Sequence, residues 1–410
     1  MTYYEPERWE LDDLLPEPGT PEMEAYVEET EARLGDFESR RDDLSSKITL
    51  ETFEEILLLY EELYAAASAL SAYSYLWFSE DTASQDALAF RARIDQFVAD
   101  LENRTLFFTL WWKHLEDDVA EKLLRHSGDT RYFLESLRHF RPFTLSEPVE
   151  QVINVKDVNG MNSLLKIYDM ITSGFTFYLT VDGEKKEMTR GQLTSYVSTL
   201  AHELGHAVHA MMAADHSVLT FHSALPMAET ASVFGEMLLT DKLLAEEQEP
   251  AVRRTLLSNV LDEAYATIAR QGYFVLFEQT AHEMILGGAT PDELHMAYMD
   301  NLKEQFGDAL VLSDDFRLEW TAIPHIYHTP FYCYAYAFGN LLVLALYRKY
   351  KEIGKPFEQD YLRILAYGGS ASPDHIIREA GFDMASPDFW QSGFDLLAEM
   401  LDDLSALVAP

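Results

Sequence analysis

Between Leu50 and Leu115 apolar residues return every three or four positions, and that periodicity commits the chain to long helices before any other feature does. In "LETFEEILLLYEELYAAASALSAYSYLWF" the repeat runs through Leu57, Leu58, Tyr60, Leu63 and Tyr64. A second long helix is expected from about Ala83 to Leu115, carrying Phe90, Ile94, Phe97 and Leu101. Its "LFFTLWW" end reads as core, since bulky apolar side chains at this spacing bury large areas against neighbouring helices. An extended lead-in punctuated by Pro16, Pro18, Gly19 and Pro21 precedes the helices. One segment breaks the pattern: "SGFTFYLTVDGEKKEMT" has two β-prone arms around Asp182-Gly183, a dipeptide suited to a tight hairpin turn. Helical patterning then resumes. In "GGATPDEL" Thr290 is the expected N-cap, with Pro291 in the first position and Glu293 closing a capping box. The expected fold is mainly α and multi-helical, with a helical N-terminal lobe over 1–145 and a second region over 146–410 that includes a small β-hairpin.

Charge and cysteine usage narrow the function classes. The formal net charge of −39 over 410 residues opposes binding to nucleic acid or anionic lipid. Cys333 is the single cysteine, so neither an intrachain disulfide nor a cysteine-based zinc ligand set can form. The start, "MTYYEPERWELDDLLPEPGTPE", lacks the basic end and apolar core of a signal peptide. No run of about 18 apolar residues suggests a membrane span. A cytoplasmic protein is the expectation.

"TLAHELGHAVHA" concentrates the chemistry. His202 and His206, four apart on a helix, share one face and can direct their imidazoles at one ion. Glu203 sits about 100° round the helix, where it can serve water as a general base without ligating the metal. Gly205 costs about 1 kcal/mol relative to alanine inside a helix, which points to a close approach of other backbone or a ligand. His282-Glu283 is a second His-Glu pair, but Leu occupies position 286, so it reads as structural.

A catalytic metal site needs a third protein ligand. His209 lies about 10 Å along the axis from His202 and cannot converge with it and His206 on one ion. His222 is a candidate in what reads as a connection, "DHSVLTFHSALP". "PMAETASVFGEMLLTDKLL" offers a better one. Glu229 and Glu236, seven apart on a mostly apolar helix, are costly to bury unless paired or coordinated. Glu229 is the expected ligand, with Glu236 orienting a histidine ring. "IPHIYHTPFYCYAYAFGN" adds His325, His328, Tyr332, Tyr334 and Tyr336, and a protonated tyrosine can donate to a developing oxyanion.

The chain resembles the oligoendopeptidase F family, relatives of thimet oligopeptidase. The resemblance rests on "HELGHAVH", "MAETASVFGE", "RQGYFVLFEQTAHE", "IPHIYHTPFYCYAYAFG", "YGGSASPDHII" and "GFDMASPDFWQSGF" in family order, with "RPFTLSEPVE" before the hairpin. It implies a zincin-like helical fold with a deep channel that admits short peptides and excludes folded proteins. It further implies Zn2+ held by His202, His206 and Glu229, with Glu203 as base and proton shuttle. His325, Tyr332 and Tyr334 would stabilise the transition state. The expected function is zinc-dependent hydrolysis of internal bonds in short peptides. "MTRGQLTSYVSTLAHELGH" departs from the family, running almost directly into the HELGH helix, so the chain looks shortened near Gln192 to Ser198. A non-catalytic zinc- or peptide-binding descendant is the alternative that this shortening raises.

Overall fold

The computed structural model describes residues 9–80, 84–161, 164, 177–181, 184–188 and 196–408. Two compact units are present: Met1–Leu164 with His216–Thr220, and Leu165–Asp215 with Phe221–Pro410.

The first unit is built on α1 (Pro21–Ser39), α2 (Leu50–Glu80), α3 (Gln85–His114), α4 (Asp117–Leu124), α5 (Arg131–His139) and α6 (Glu147–Asn159). Thr20 caps α1 by accepting the Met23 N–H, with Pro21 in the first turn. The two long periodic stretches become α2 and α3, and their apolar stripes meet in a core containing Phe37, Phe53, Leu63, Phe108 and Trp112. Each such side chain, fully withdrawn from water, contributes about 1.5–3 kcal/mol. Trp112 stacks on Phe53 at 5.4 Å, and its indole N–H donates to the Leu134 carbonyl at 2.8 Å. The "LFFTLWW" segment is therefore core. The sequence placed the boundary between regions after residue 145, but α6 groups with the first unit. Its Asn154 side chain donates to the Asn103 side chain of α3 at 2.9 Å, and its Glu147 pairs with Arg41.

In the second unit β1 (Phe177–Val181) pairs antiparallel with β2 (Glu184–Met188), Phe177 opposite Met188 and Val181 opposite Glu184. The Asp182-Gly183 dipeptide expected to form the turn lies outside the described residues. So does most of the Gln192 to Ser198 stretch where the chain was expected to be shortened.

The helices that follow are α7 (Tyr196–Met212), α8 (Thr230–Glu246), α9 (Pro250–Ala264), α10 (Gln271–Leu286), α11 (Pro291–Phe306), α12 (Pro324–His328), α13 (Tyr334–Ile353), α14 (Pro356–Ala366), α15 (Pro373–Glu379) and α16 (Pro387–Val408). A π-helical stretch over Tyr265–Arg270 joins α9 to α10, and a 3-10 helix over Asp314–Ala322 precedes α12. The capping box read at Thr290 and Glu293 opens α11. α13 is the axle of this unit: Leu342, Val343, Leu344, Leu346 and Tyr347 are all buried, so the middle of the helix is covered on every side. α8 contributes Phe234 and Met237 to that core, and α16 contributes Phe389 and Leu396. A second cluster joins Phe274 and Phe277 of α10 to Tyr298 of α11 and to the buried, free Cys333. The architecture is predominantly helical. Among the described residues, no helix is long and apolar enough to cross a membrane.

Candidate metal centre

The close approach that Gly205 implied is made by α8. A Cβ at Gly205 would stand 2.4 Å from the Ala231 carbonyl oxygen and 2.5 Å from the Ser232 Cα. Gly235 repeats the device from the other side, where a Cβ would meet the Ala201 carbonyl oxygen at 2.9 Å. Two glycines thus let α7 and α8 pack backbone to backbone, bringing the side chains beside the crossing within hydrogen-bonding range of one another.

Glu229 occupies the N-cap position of α8, yet its carboxylate does not cap the helix. It turns to α7 instead, with Oε2 3.3 Å from His202 Nε2 and 3.5 Å from His206 Nε2. The two histidine Nε2 atoms are 3.2 Å apart, and their rings stand nearly perpendicular at 83°. The Ser232 hydroxyl donates to Glu229 Oε2 at 2.8 Å and steadies the carboxylate. Behind the cluster, Glu236 Oε1 lies 3.2 Å from His202 Nδ1.

Three donors held about 2.0–2.1 Å from a tetrahedral zinc stand roughly 3.3–3.5 Å from one another. The observed edges of 3.2, 3.3 and 3.5 Å fit that requirement. His202, His206 and Glu229 also form the group of metal-ligating type found among the described residues. The electrostatics agree. Hydrogen bonds to Glu229 and then Glu236 raise the His202 pKa to about 10, and the His202 contact holds the Glu229 carboxyl below its usual range. A cluster that draws a proton this strongly also favours a metal cation able to replace that proton.

The remaining candidates take different places. Glu203, next to His202, is solvent-exposed. His209 is half-buried, one turn beyond His206 and outside the donor triangle, and His222 is exposed. His282 is also exposed, its ring 4.8 Å from that of Phe331, and takes no part in the triangle.

In the aromatic segment the Tyr336 hydroxyl lies 2.9 Å from His325 Nε2, and the Tyr332 ring stacks on His325 at 5.4 Å. The Tyr332 ring, just before α13, meets that of Tyr336 in its first turn at 5.2 Å. Burial, with smaller contributions that include the Glu229 charge, raises the pKa of both, so both keep their protons at neutral pH. Gly339, one turn further along α13, brings that helix against Glu229: a Cβ there would stand 3.3 Å from the Glu229 Cβ. Tyr334 is 42% exposed and makes no ring contact with this cluster. The resemblance implied Tyr332 and Tyr334, unranked, as transition-state stabilisers, with Tyr336 in the same segment; in the structure the ring that meets Tyr332 is that of Tyr336. Residues two apart point to different sides of a helical path, and the four-residue spacing was the signal for Tyr336.

A helical unit whose two crossed helices converge two histidines and a glutamate defines the class, a metallopeptidase-like metal centre. Residues 191–396, half of the chain, match peptidase family M3, and the chain belongs to that family. It is 33% identical over 213 residues to the oligopeptidase PepF of Bacillus subtilis, a match covering 51% of this chain and 32% of that protein. An oligoendopeptidase F homologue of Lactococcus lactis is likewise 33% identical over 213 residues, covering 51% of this chain and 35% of its own. The matched region thus spans about a third of these relatives. In fold the chain is similar to the crystal structure of oligoendopeptidase-F from Enterococcus faecium, with a TM-score of 0.70 at 16% identity, covering 94% of this chain and 98% of that one.

Proposed function

We propose that the protein is a zinc-dependent endopeptidase that hydrolyses internal bonds of short peptides, with residues 146–410 as its catalytic region. The donor triangle of His202, His206 and Glu229, beside the exposed Glu203, carries this reading. Bound zinc would supply Lewis-acid chemistry, acidifying water and polarising the scissile carbonyl. Glu203 takes the proton from the attacking water and returns it to the leaving amine nitrogen. Tyr336 keeps its own proton and donates a hydrogen bond to the carbonyl oxygen as negative charge builds there, with His325 orienting the hydroxyl. The Tyr332 ring holds His325 in place by stacking. Glu236 fixes the His202 ring through Nδ1, leaving Nε2 for the metal.

The family relationship supports peptides as substrates, and the acidic surface argues against nucleic acid. The single buried cysteine suits a reducing compartment, and we place the protein in the cytoplasm.

The span of only about a third of the curated relatives favours a second reading, a zinc- or peptide-binding descendant that does not cleave. Incubating the purified protein with a mixed short-peptide library, with and without chelator, separates the two by mass spectrometry. Internal cleavage lost on chelation supports the endopeptidase. Intact peptides beside protein carrying stoichiometric zinc support the descendant.

A further inference from the structure

Glu278 is a carboxylate with no place in the chemistry described above, yet it is only 1% exposed, in the middle of α10. Its helix neighbours Phe274, Phe277 and Ala281 are apolar and buried, so the position is an unfavourable one for a carboxylate without a specific partner. That partner is a backbone group: Glu278 Oε1 accepts the Phe331 N–H at 2.8 Å.

Phe331 is the one non-glycine residue with positive φ among the described residues, at +63°. A bulky side chain rarely adopts this left-handed conformation unless its surroundings hold it there. Phe331 lies in the connection between α12, which carries His325, and α13, which carries Tyr336, and it immediately precedes Tyr332. The chain reverses there so that the Tyr332 ring returns over His325 and the Tyr336 hydroxyl reaches His325 Nε2. The Phe331 ring packs at 4.8 Å on His282, one turn along α10 from Glu278. α10 therefore grips this connection twice, through a backbone hydrogen bond and a ring contact.

We propose that Glu278 is a positioning residue: by holding the Phe331 N–H it fixes the left-handed turn that sets Tyr332 and Tyr336 against His325. The inference rests on the endopeptidase reading for its effect on rate, but its structural half is independent of that reading. The acceptor oxygen does the positioning, and the negative charge is not required. Glutamine at 278 keeps a strong oxygen acceptor in nearly the same shape, whereas methionine fills the space with only a weak thioether acceptor.

The test compares Glu278→Met, Glu278→Gln and unmodified protein, all loaded with zinc. Two readouts are taken: amide hydrogen exchange at Phe331, and kcat and KM on a short peptide. Glu278→Met should speed Phe331 exchange at least about tenfold and lower kcat roughly 10- to 100-fold, with zinc content kept and KM changed by less than about threefold. Glu278→Gln should restore kcat to within about threefold of the unmodified protein. Unchanged Phe331 exchange in Glu278→Met would overturn the proposal, as would a kcat loss in Glu278→Gln as large as in Glu278→Met. If Glu278→Met does not fold, Glu278→Gln decides: near-normal kcat and exchange support the proposal, and a loss beyond about tenfold overturns it. If the unmodified protein itself cleaves no peptide, the endopeptidase reading fails. Phe331 exchange then tests the positioning role alone.

Discussion

Glu236 Oε1 stands 3.2 Å from His202 Nδ1, while Nε2 of the same ring faces Glu229 Oε2 at 3.3 Å. The two glutamates of one helix thus take opposite edges of a single imidazole. One edge is presented to the metal position, and the other is locked by a carboxylate that needs no contact with metal. This arrangement selects the tautomer and strengthens the ring as a donor.

Removing that lock should weaken zinc binding without abolishing it. Glu236→Ala is expected to lower zinc affinity about 10- to 100-fold, and Glu236→Gln by less, because its amide oxygen still accepts from Nδ1. Competition against a chelating dye measures both. Equal affinity in all three proteins would contradict the role given to Glu236.

Gly205→Ala separates helix propensity from packing. Propensity alone predicts a gain of about 1 kcal/mol for alanine inside a helix. A Cβ 2.4 Å from the Ala231 carbonyl oxygen must instead push α7 and α8 apart. The expected outcome is a loss of about 1–3 kcal/mol or more in denaturant unfolding, together with weaker zinc binding. A stabilised variant would show that the helices do not cross so closely.

The two tyrosines should part company in kinetics. Tyr336→Phe removes the hydroxyl beside His325 Nε2 and should cost about 100-fold in kcat on a short peptide. Tyr334→Phe alters an exposed side chain and should stay within about twofold. The reverse ordering would move the oxyanion donor to the other face of the helical path.

Burial raises the Glu278 carboxyl above its ordinary value of 4.5. The folded protein therefore holds this proton more tightly than the unfolded chain. The resulting stabilisation is fully present below about 4.5 and is lost as pH rises through the folded pKa. Glu278→Gln cannot ionise, so its stability relative to the unmodified protein should improve as pH is raised from about 4 to about 8. Urea unfolding at several pH values measures the difference, and a relative decline would show that the ionised form is the favoured one.

The donor set could be read from the chain because it depends on spacing within helices. His202 and His206 four apart, and Glu229 and Glu236 on one apolar helix, carry their geometry in the numbering. Gly205 was legible as an anomaly, but its partners, the Ala231 carbonyl and the Ser232 backbone, belong to tertiary packing. Tyr336 was harder to choose, since the break between α12 and α13 hides which tyrosines share a face. Glu278 sat in plain view within an apolar helix, yet a lone glutamate does not announce which backbone amide it will meet. The attachment of α6 was hidden for a similar reason, because it runs through Asn103, far away in sequence.

The most direct test is Glu203→Gln, compared with the unmodified protein for zinc content and for cleavage of short peptides. Because Glu203 is exposed and stands outside the donor triangle, the variant should keep its zinc and its fold while losing turnover by several orders of magnitude. Zinc retained with cleavage undiminished would contradict the assignment of Glu203 as the base, and with it the central account of how this site works.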